Sequence, residues 1–154
     1  MPRFERILVA TDFSPASDAA LEYARTLARQ FGSSLNLVHV FDDPFTSGAF
    51  VGDGTVMMPM DLRETLLESA GAQLADRHAA HAETLRGSST DLLIGASAKS
   101  IVEHAQATHA DLIVMGTHGR TGLPHLLLGS VAERVVRTAT CPVLTTRDSG
   151  AGPT

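Results

Sequence analysis

Gly116-Thr117-His118-Gly119 is followed, after the nine residues from Arg120 to Leu128, by Gly129-Ser130. Residues of these types at this spacing suit one kind of chemistry, the holding of an anion. Glycine lets a backbone N–H come close to a charged oxygen and tolerates positive φ. A helix opening at Gly129-Ser130 would add unpaired amides and the positive end of a dipole. The Ser130 hydroxyl would either reach a phosphate or cap that helix. Spacing alone leaves a second account standing, in which Gly116 and Gly119 form a turn and Gly129-Ser130 only start a helix. Asp12 and Arg120, read without further context, are a polar loop residue beside a helix and a solvated loop charge.

Other chemistries find less support. There is no G-x-x-x-x-G-K-[ST], and the only lysine is Lys99, so a Walker-type nucleotidase is disfavoured. Ala10-Thr11-Asp12-Phe13-Ser14 stands where a dinucleotide-binding domain would carry G-x-G-x-x-G. His78 and His81 are three residues apart on an expected helix, without a carboxylate or cysteine at zinc-site spacing. They read as solvated or packing residues. His39 reads as a hydrogen-bonded interior residue, while His104, His109 and His125 show no pattern. Gly95-Ala96-Ser97 lacks a G-x-S-x-G context. Cys141 reads as a buried structural thiol, and Asp42-Asp43 as a surface pair.

The elements that must position these residues follow from periodicity. The unalternating apolar run from Arg6 to Thr11 predicts a strand buried on both faces, and Leu35 to Phe41, Thr90 to Gly95, Asp111 to Gly116 and Pro142 to Thr146 read as further strands. Between the first two, Ser14 caps a helix beginning at Pro15. Its apolar face is read as Ala16, Ala20, Tyr23, Ala24, Leu27, Ala28 and Phe31, and Gly32 stops it. A long helix is predicted over Met60 to Leu85, with Leu66, Leu67, Ala70 and Leu74 inward. Shorter ones follow over Ser100 to Thr108 and Ser130 to Thr138. Residues 42–59 read as a mobile loop with Phe45, Phe50 and Met57 as anchors, and residues 148–154 as a disordered tail. Alternating strands and helices predict an α/β fold, an open five-stranded parallel sheet with helices on both faces. Ligands of such sheets bind at the strand carboxyl ends where the winding reverses.

The 154 residues suit one domain, expected over 1–147. A net charge of −5 argues against an unspecific nucleic-acid footprint, and no apolar run is long enough for a bilayer. Met1 to Arg6 lacks the layout of a signal peptide, and one cysteine suits a reducing compartment, so a cytoplasmic location is expected.

Taken together, Gly116-x2-Gly119-x9-Gly129-Ser130, Ile7-Leu8-Val9-Ala10-Thr11-Asp12, Ala110 to Gly116 and Thr140-Cys141-Pro142-Val143-Leu144 resemble the universal stress protein family. The similarity runs from about Arg3 to Arg147 and implies a Rossmann-like, adenine nucleotide alpha hydrolase-like fold. It further implies a dimeric regulatory domain that binds ATP with Mg²⁺. By that resemblance Ala10, Thr11 and Asp12 hold adenine and ribose, with Asp12 also poised for a metal-bound water. Val40 offers main-chain contacts to the adenine edge and Met115 lines its pocket. Gly116, His118, Gly119, Arg120, Gly129, Ser130 and Val131 surround ribose and phosphates. The strand Pro142 to Thr146 is the implied homodimer seam, although Thr145-Thr146 is more polar than usual there. Pro124-His125 is less basic than the family pattern. No residue stands out as an activating base, so hydrolysis is expected to be slow or partner-dependent. The rival readings are an interaction protein of the same fold without nucleotide, and a slow ATPase.

Overall fold

The computed structural model describes residues 3–43, 58–82, 87–117 and 128–147. Nine elements alternate along the chain. They are β1 (Arg6–Ala10), α1 (Pro15–Phe31), β2 (Ser34–Phe41), α2 (Met60–Ala79), β3 (Ser89–Ile94), α3 (Ser97–Ala107), β4 (Leu112–Gly116), α4 (Ser130–Thr138) and β5 (Val143–Thr146). The strands form one parallel sheet in the order β3-β2-β1-β4-β5. The winding therefore reverses between β1 and β4, in register Ile7 opposite Leu112 to Ala10 opposite Met115.

Strand alternation divides the core into two. Ile7, Val9, Leu35, Leu37, Leu112 and Val114 face α1 and Leu74 of α2. Leu8, Ala10, Val38, Ile113 and Met115 face α3 and α4. Because both sheet faces are covered, the central strands carry continuous apolar runs. Each large aliphatic side chain so buried contributes about 1.5–3 kcal/mol.

Helix α1 begins as expected, with Ser14 accepting the Ser17 N–H at 3.3 Å and Pro15 in the first turn. Its end is set by Gly32, at φ 69°. Its buried stripe differs from the expected one. Ala16, Ala20, Ala24 and Ala28 are buried together with Ser17 and Leu21, whereas Tyr23 and Phe31 are exposed. A narrow alanine stripe lets the helix lie close to the sheet, and aromatic rings at its margin are pushed outward. Phe31 instead meets Phe4 edge-on, with centroids 5.4 Å apart.

Several other expectations are corrected. Helix α2 ends at Ala79, so His81 lies in the turn beyond it, where its N–H donates to His78 O. Leu66 is exposed and only Ala70 and Leu74 of the inward set are fully buried. Helix α3 starts three residues early, at Ser97. Asp43 is buried and paired with Arg63 at 3.2 Å, so it is not a surface residue. His104, which fits no sequence pattern, donates Nε2–H to Asn36 Oδ1 and Asp91 Oδ2 at 3.1 and 3.2 Å. His78 bonds Ser88 at 2.9 Å. Residues 44–57, Leu85, Pro124-His125 and residues 148–154 lie outside the described residues.

Candidate functional site

The winding reversal opens a cleft of about 200 Å³ over the carboxyl ends of β1, β2 and β4. Its floor is apolar, from Ala10, Val38, Val40, Met115, Ile101 of α3 and Ala132 of α4. Its rim is polar. Thr11 and Asp12 contribute from the β1–α1 turn, Thr117 from beyond β4, and Ser97 and Ser130 from the first turns of α3 and α4.

The β1–α1 turn is built by short-range bonds. Asp12 Oδ1 accepts the Ser14 N–H at 3.0 Å, which is an Asx turn leading into the helix cap. Thr11 Oγ1 accepts the Phe13 N–H at 3.0 Å. Ser17 Oγ donates to Ser14 O at 2.9 Å, leaving the Thr11 hydroxyl as the donor to Ser17 Oγ at 3.0 Å. From the neighbouring strand, His39 Nδ1–H donates to the Thr11 carbonyl at 2.8 Å. The expected hydrogen-bonded role of His39 is met, although the residue is half-buried and lies on the cleft wall.

Two residues of the glycine spacing, Gly116 and Gly129, meet in this cleft, and the reason is a backbone ladder. Thr117 N–H donates to Thr146 O at 2.7 Å, and Thr117 O accepts the Gly129 N–H. The chain therefore returns to the end of β4 just before α4 opens. Gly129, at φ −67° and ψ 160°, is the N-cap of α4 and supplies no side-chain cap. Ser130 is the first helical residue, so the capping alternative for its hydroxyl is excluded. Helix α3 likewise has Ala96 at its N-cap and no side-chain cap. Two helix N-termini thus border the cleft without a capping side chain, an arrangement favourable to anions.

Gly116 also meets a packing demand. A Cβ there would stand 2.9 Å from the Ala16 carbonyl carbon and 3.0 Å from Ala16 Cβ. Its small size is thus required where α1 crosses β4. This close approach is neither a turn nor, by itself, an anion contact.

Of the twelve proposed ligand-facing residues, Ala10, Thr11, Asp12, Val40, Met115, Gly116, Gly129, Ser130 and Val131 line the cleft. His118, Gly119 and Arg120 lie outside the described residues. The sequence reading did not place Ser17, Val38, His39, Ser97, Ile101, Thr117 or Ala132 on the ligand side. Ser97 was obscured because small residues at the start of α3 weaken its apolar period. Among the described residues, no group of three or more His, Cys, Asp or Glu side chains could hold a metal. A divalent ion here would depend on ligand oxygens, with Asp12 as the adjacent carboxylate. Cys141 is half-buried at the second core, and burial raises its thiol pKa above the ordinary value.

The strand order and the cleft at its reversal define a doubly wound α/β domain. The family model described as the universal stress protein family matches residues 3–147. The chain belongs to that family. It is 38% identical over 143 residues to universal stress protein MJ0531 of Methanocaldococcus jannaschii, covering 92% of this chain and 81% of the relative. The solved structure of MJ0577, from the same organism, superposes with a TM-score of 0.81 at 26% identity, covering 96% of this chain and 99% of that one. An Archaeoglobus fulgidus universal stress protein solved in complex with dAMP shares the fold, with a TM-score of 0.64 at 23% identity and coverages of 95% and 99%. No helix among the described residues is long and apolar enough to cross a membrane.

Proposed function

We propose that this protein is an adenine-nucleotide-binding regulatory domain that takes ATP with Mg²⁺ in the cleft between β1 and β4. The observation carrying this reading is the convergence of Asp12, Gly116 and the α4 N-terminus on one apolar-floored cleft. An adenine ring fits the Ala10, Val40 and Met115 side, where apolar surface meets main-chain groups. Asp12 takes a ribose hydroxyl or a water on the nucleotide-borne Mg²⁺. The first-turn amides at Ser130 and Val131, with the Ser130 hydroxyl, take phosphate oxygens. Backbone donors and a helix end supply this attraction without lysines, which suits a chain of net charge −5. In the family pattern His118, Gly119 and Arg120 complete the phosphate end. The dAMP held by the Archaeoglobus fulgidus protein supports an adenine nucleotide as the ligand class.

Catalysis does not follow from such binding, since ground-state binding by itself does not accelerate phosphate chemistry, and any hydrolysis is slow or partner-dependent. The edge strand β5, paired on one side with β4, is the proposed homodimer seam. A cytoplasmic setting accompanies this reading. Native mass spectrometry of freshly purified protein, followed by acid release, tests it. The expected result is an adenine nucleotide bound one per chain. Protein that carries none, and gains none on incubation with millimolar Mg-ATP, would instead support an interaction protein of the same fold.

A further inference from the structure

Phe13 directly follows Asp12 and has φ 66°, a conformation that bulky side chains rarely adopt. Such a residue persists only where its surroundings hold it on several sides. Here three groups do so. The Phe13 N–H donates to Thr11 Oγ1 at 3.0 Å, inside the turn. The Phe13 ring stacks on His39, with centroids 4.3 Å apart and planes inclined by 30°. The third group comes from a distant part of the chain. Arg77, in the last turn of α2, donates Nη2–H to Phe13 O at 3.3 Å, and its Cζ lies 4.9 Å from the ring centroid.

The same guanidinium grips α1. Arg77 Nε and Nη2 bond the two Asp18 carboxylate oxygens at 2.8 and 3.3 Å. Phe13 is therefore held through its carbonyl and its ring by one planar cation, itself anchored on the helix that the turn feeds. His39 closes the circuit, because its Nδ1–H bonds the carbonyl of Thr11. Thr11 and Asp12 both line the cleft, and Arg77 does not.

We propose that Arg77 is a positioning residue for the cleft: it fixes the Thr11–Asp12 turn through Phe13 and so sets ligand affinity without touching the ligand. Through it, the C-terminal end of α2 and the binding turn are mechanically one unit. Lysine is a poor substitute. It offers no fork for Asp18 and no flat face for the Phe13 ring. The identity of the ligand rests on the nucleotide reading above, whereas the hold on the turn does not.

The test compares full-length Arg77→Met, Arg77→Lys and Asp18→Asn with the parent protein. Hydrogen exchange of the peptide spanning residues 11–17 is followed alongside Mg-ATP calorimetry and thermal melting. Arg77→Met is expected to speed exchange of the Phe13 and Ser14 amides and to weaken Mg-ATP about tenfold. Arg77→Lys falls between, and should Arg77→Met fail to fold, Arg77→Lys carries the same reading in reduced measure. Asp18→Asn keeps the contacts to Phe13, so it changes exchange and affinity about twofold or less. A merely structural tie between α1 and α2 predicts instead that Asp18→Asn matches the arginine variants. That match, or unchanged exchange in folded Arg77 variants, overturns the proposal. A parent protein that binds no Mg-ATP overturns the nucleotide reading, while the exchange result still decides the role of Arg77.

Discussion

Gly116 and Ala16 are in backbone contact where α1 crosses the end of β4, so close that a Cβ on Gly116 would lie 2.9 Å from the Ala16 carbonyl carbon. The same spot is tied by Thr146, whose hydroxyl donates to Ala16 O at 3.3 Å. The start of α1 therefore cannot move away cheaply. Gly116→Ala should cost about 1–3 kcal/mol through overpacking. Urea unfolding checks this. An unchanged midpoint would show that the helix start relaxes freely.

The α1 cap offers a second, independent prediction. Ser14 is buried and its Oγ accepts the Ser17 N–H. Ser14→Ala should destabilise the protein by about 1 kcal/mol, the usual cost of a lost serine cap. The denaturant slope should stay unchanged, since the surface exposed on unfolding is the same.

His81 predicts an acid-side loss of stability. Burial, then the charge of Arg25, lowers its pKa below the ordinary 6.5, against the opposing pull of Glu22. The unfolded chain accordingly binds a proton more readily than the folded one. Stability conferred by the neutral ring is full above about pH 6.5 and falls as pH drops below that value. His81→Gln should flatten this part of the stability–pH curve, as followed by urea midpoints between pH 7 and the acid limb. A slope unchanged by the substitution would assign the acid loss to other groups.

Cys141 should be a slow thiol. Desolvation by burial raises its pKa above the ordinary 9.0, so little thiolate exists near neutral pH. Alkylation by iodoacetamide should run well below the rate of the unfolded chain at pH 7 and climb only in alkali. Equal rates in folded and unfolded protein would contradict this.

The strands were legible because β1 and β4 are covered on both faces, which forces uninterrupted apolar runs. The position of the cleft was legible for a related reason, since alternating strands and helices leave few ways to wind a sheet. The α1 face was misread because Tyr23 and Phe31 fit a helical period but lie beside, not on, the narrow alanine stripe that packs against the sheet. Gly116 lines the cleft, but the packing demand that Ala16 places on its size could not be read from the spacing. Arg77 could not be found at all, because its partners Phe13 and Asp18 lie on another helix and turn, and an arginine in the last turn of a helix has an ordinary dipole role.

Calorimetric titration of Mg-ATP into the parent protein and Gly129→Val tests the central claim most directly. Gly129 has φ −67°, which any residue adopts, so valine there probes ligand approach at the α4 N-terminus without imposing backbone strain. The account predicts saturable binding of one nucleotide per chain in the parent and a loss of about tenfold or more in affinity for Gly129→Val, with the melting temperature little changed. No heat from the nucleotide-free parent protein at millimolar Mg-ATP, or equal affinity in both proteins, would contradict it.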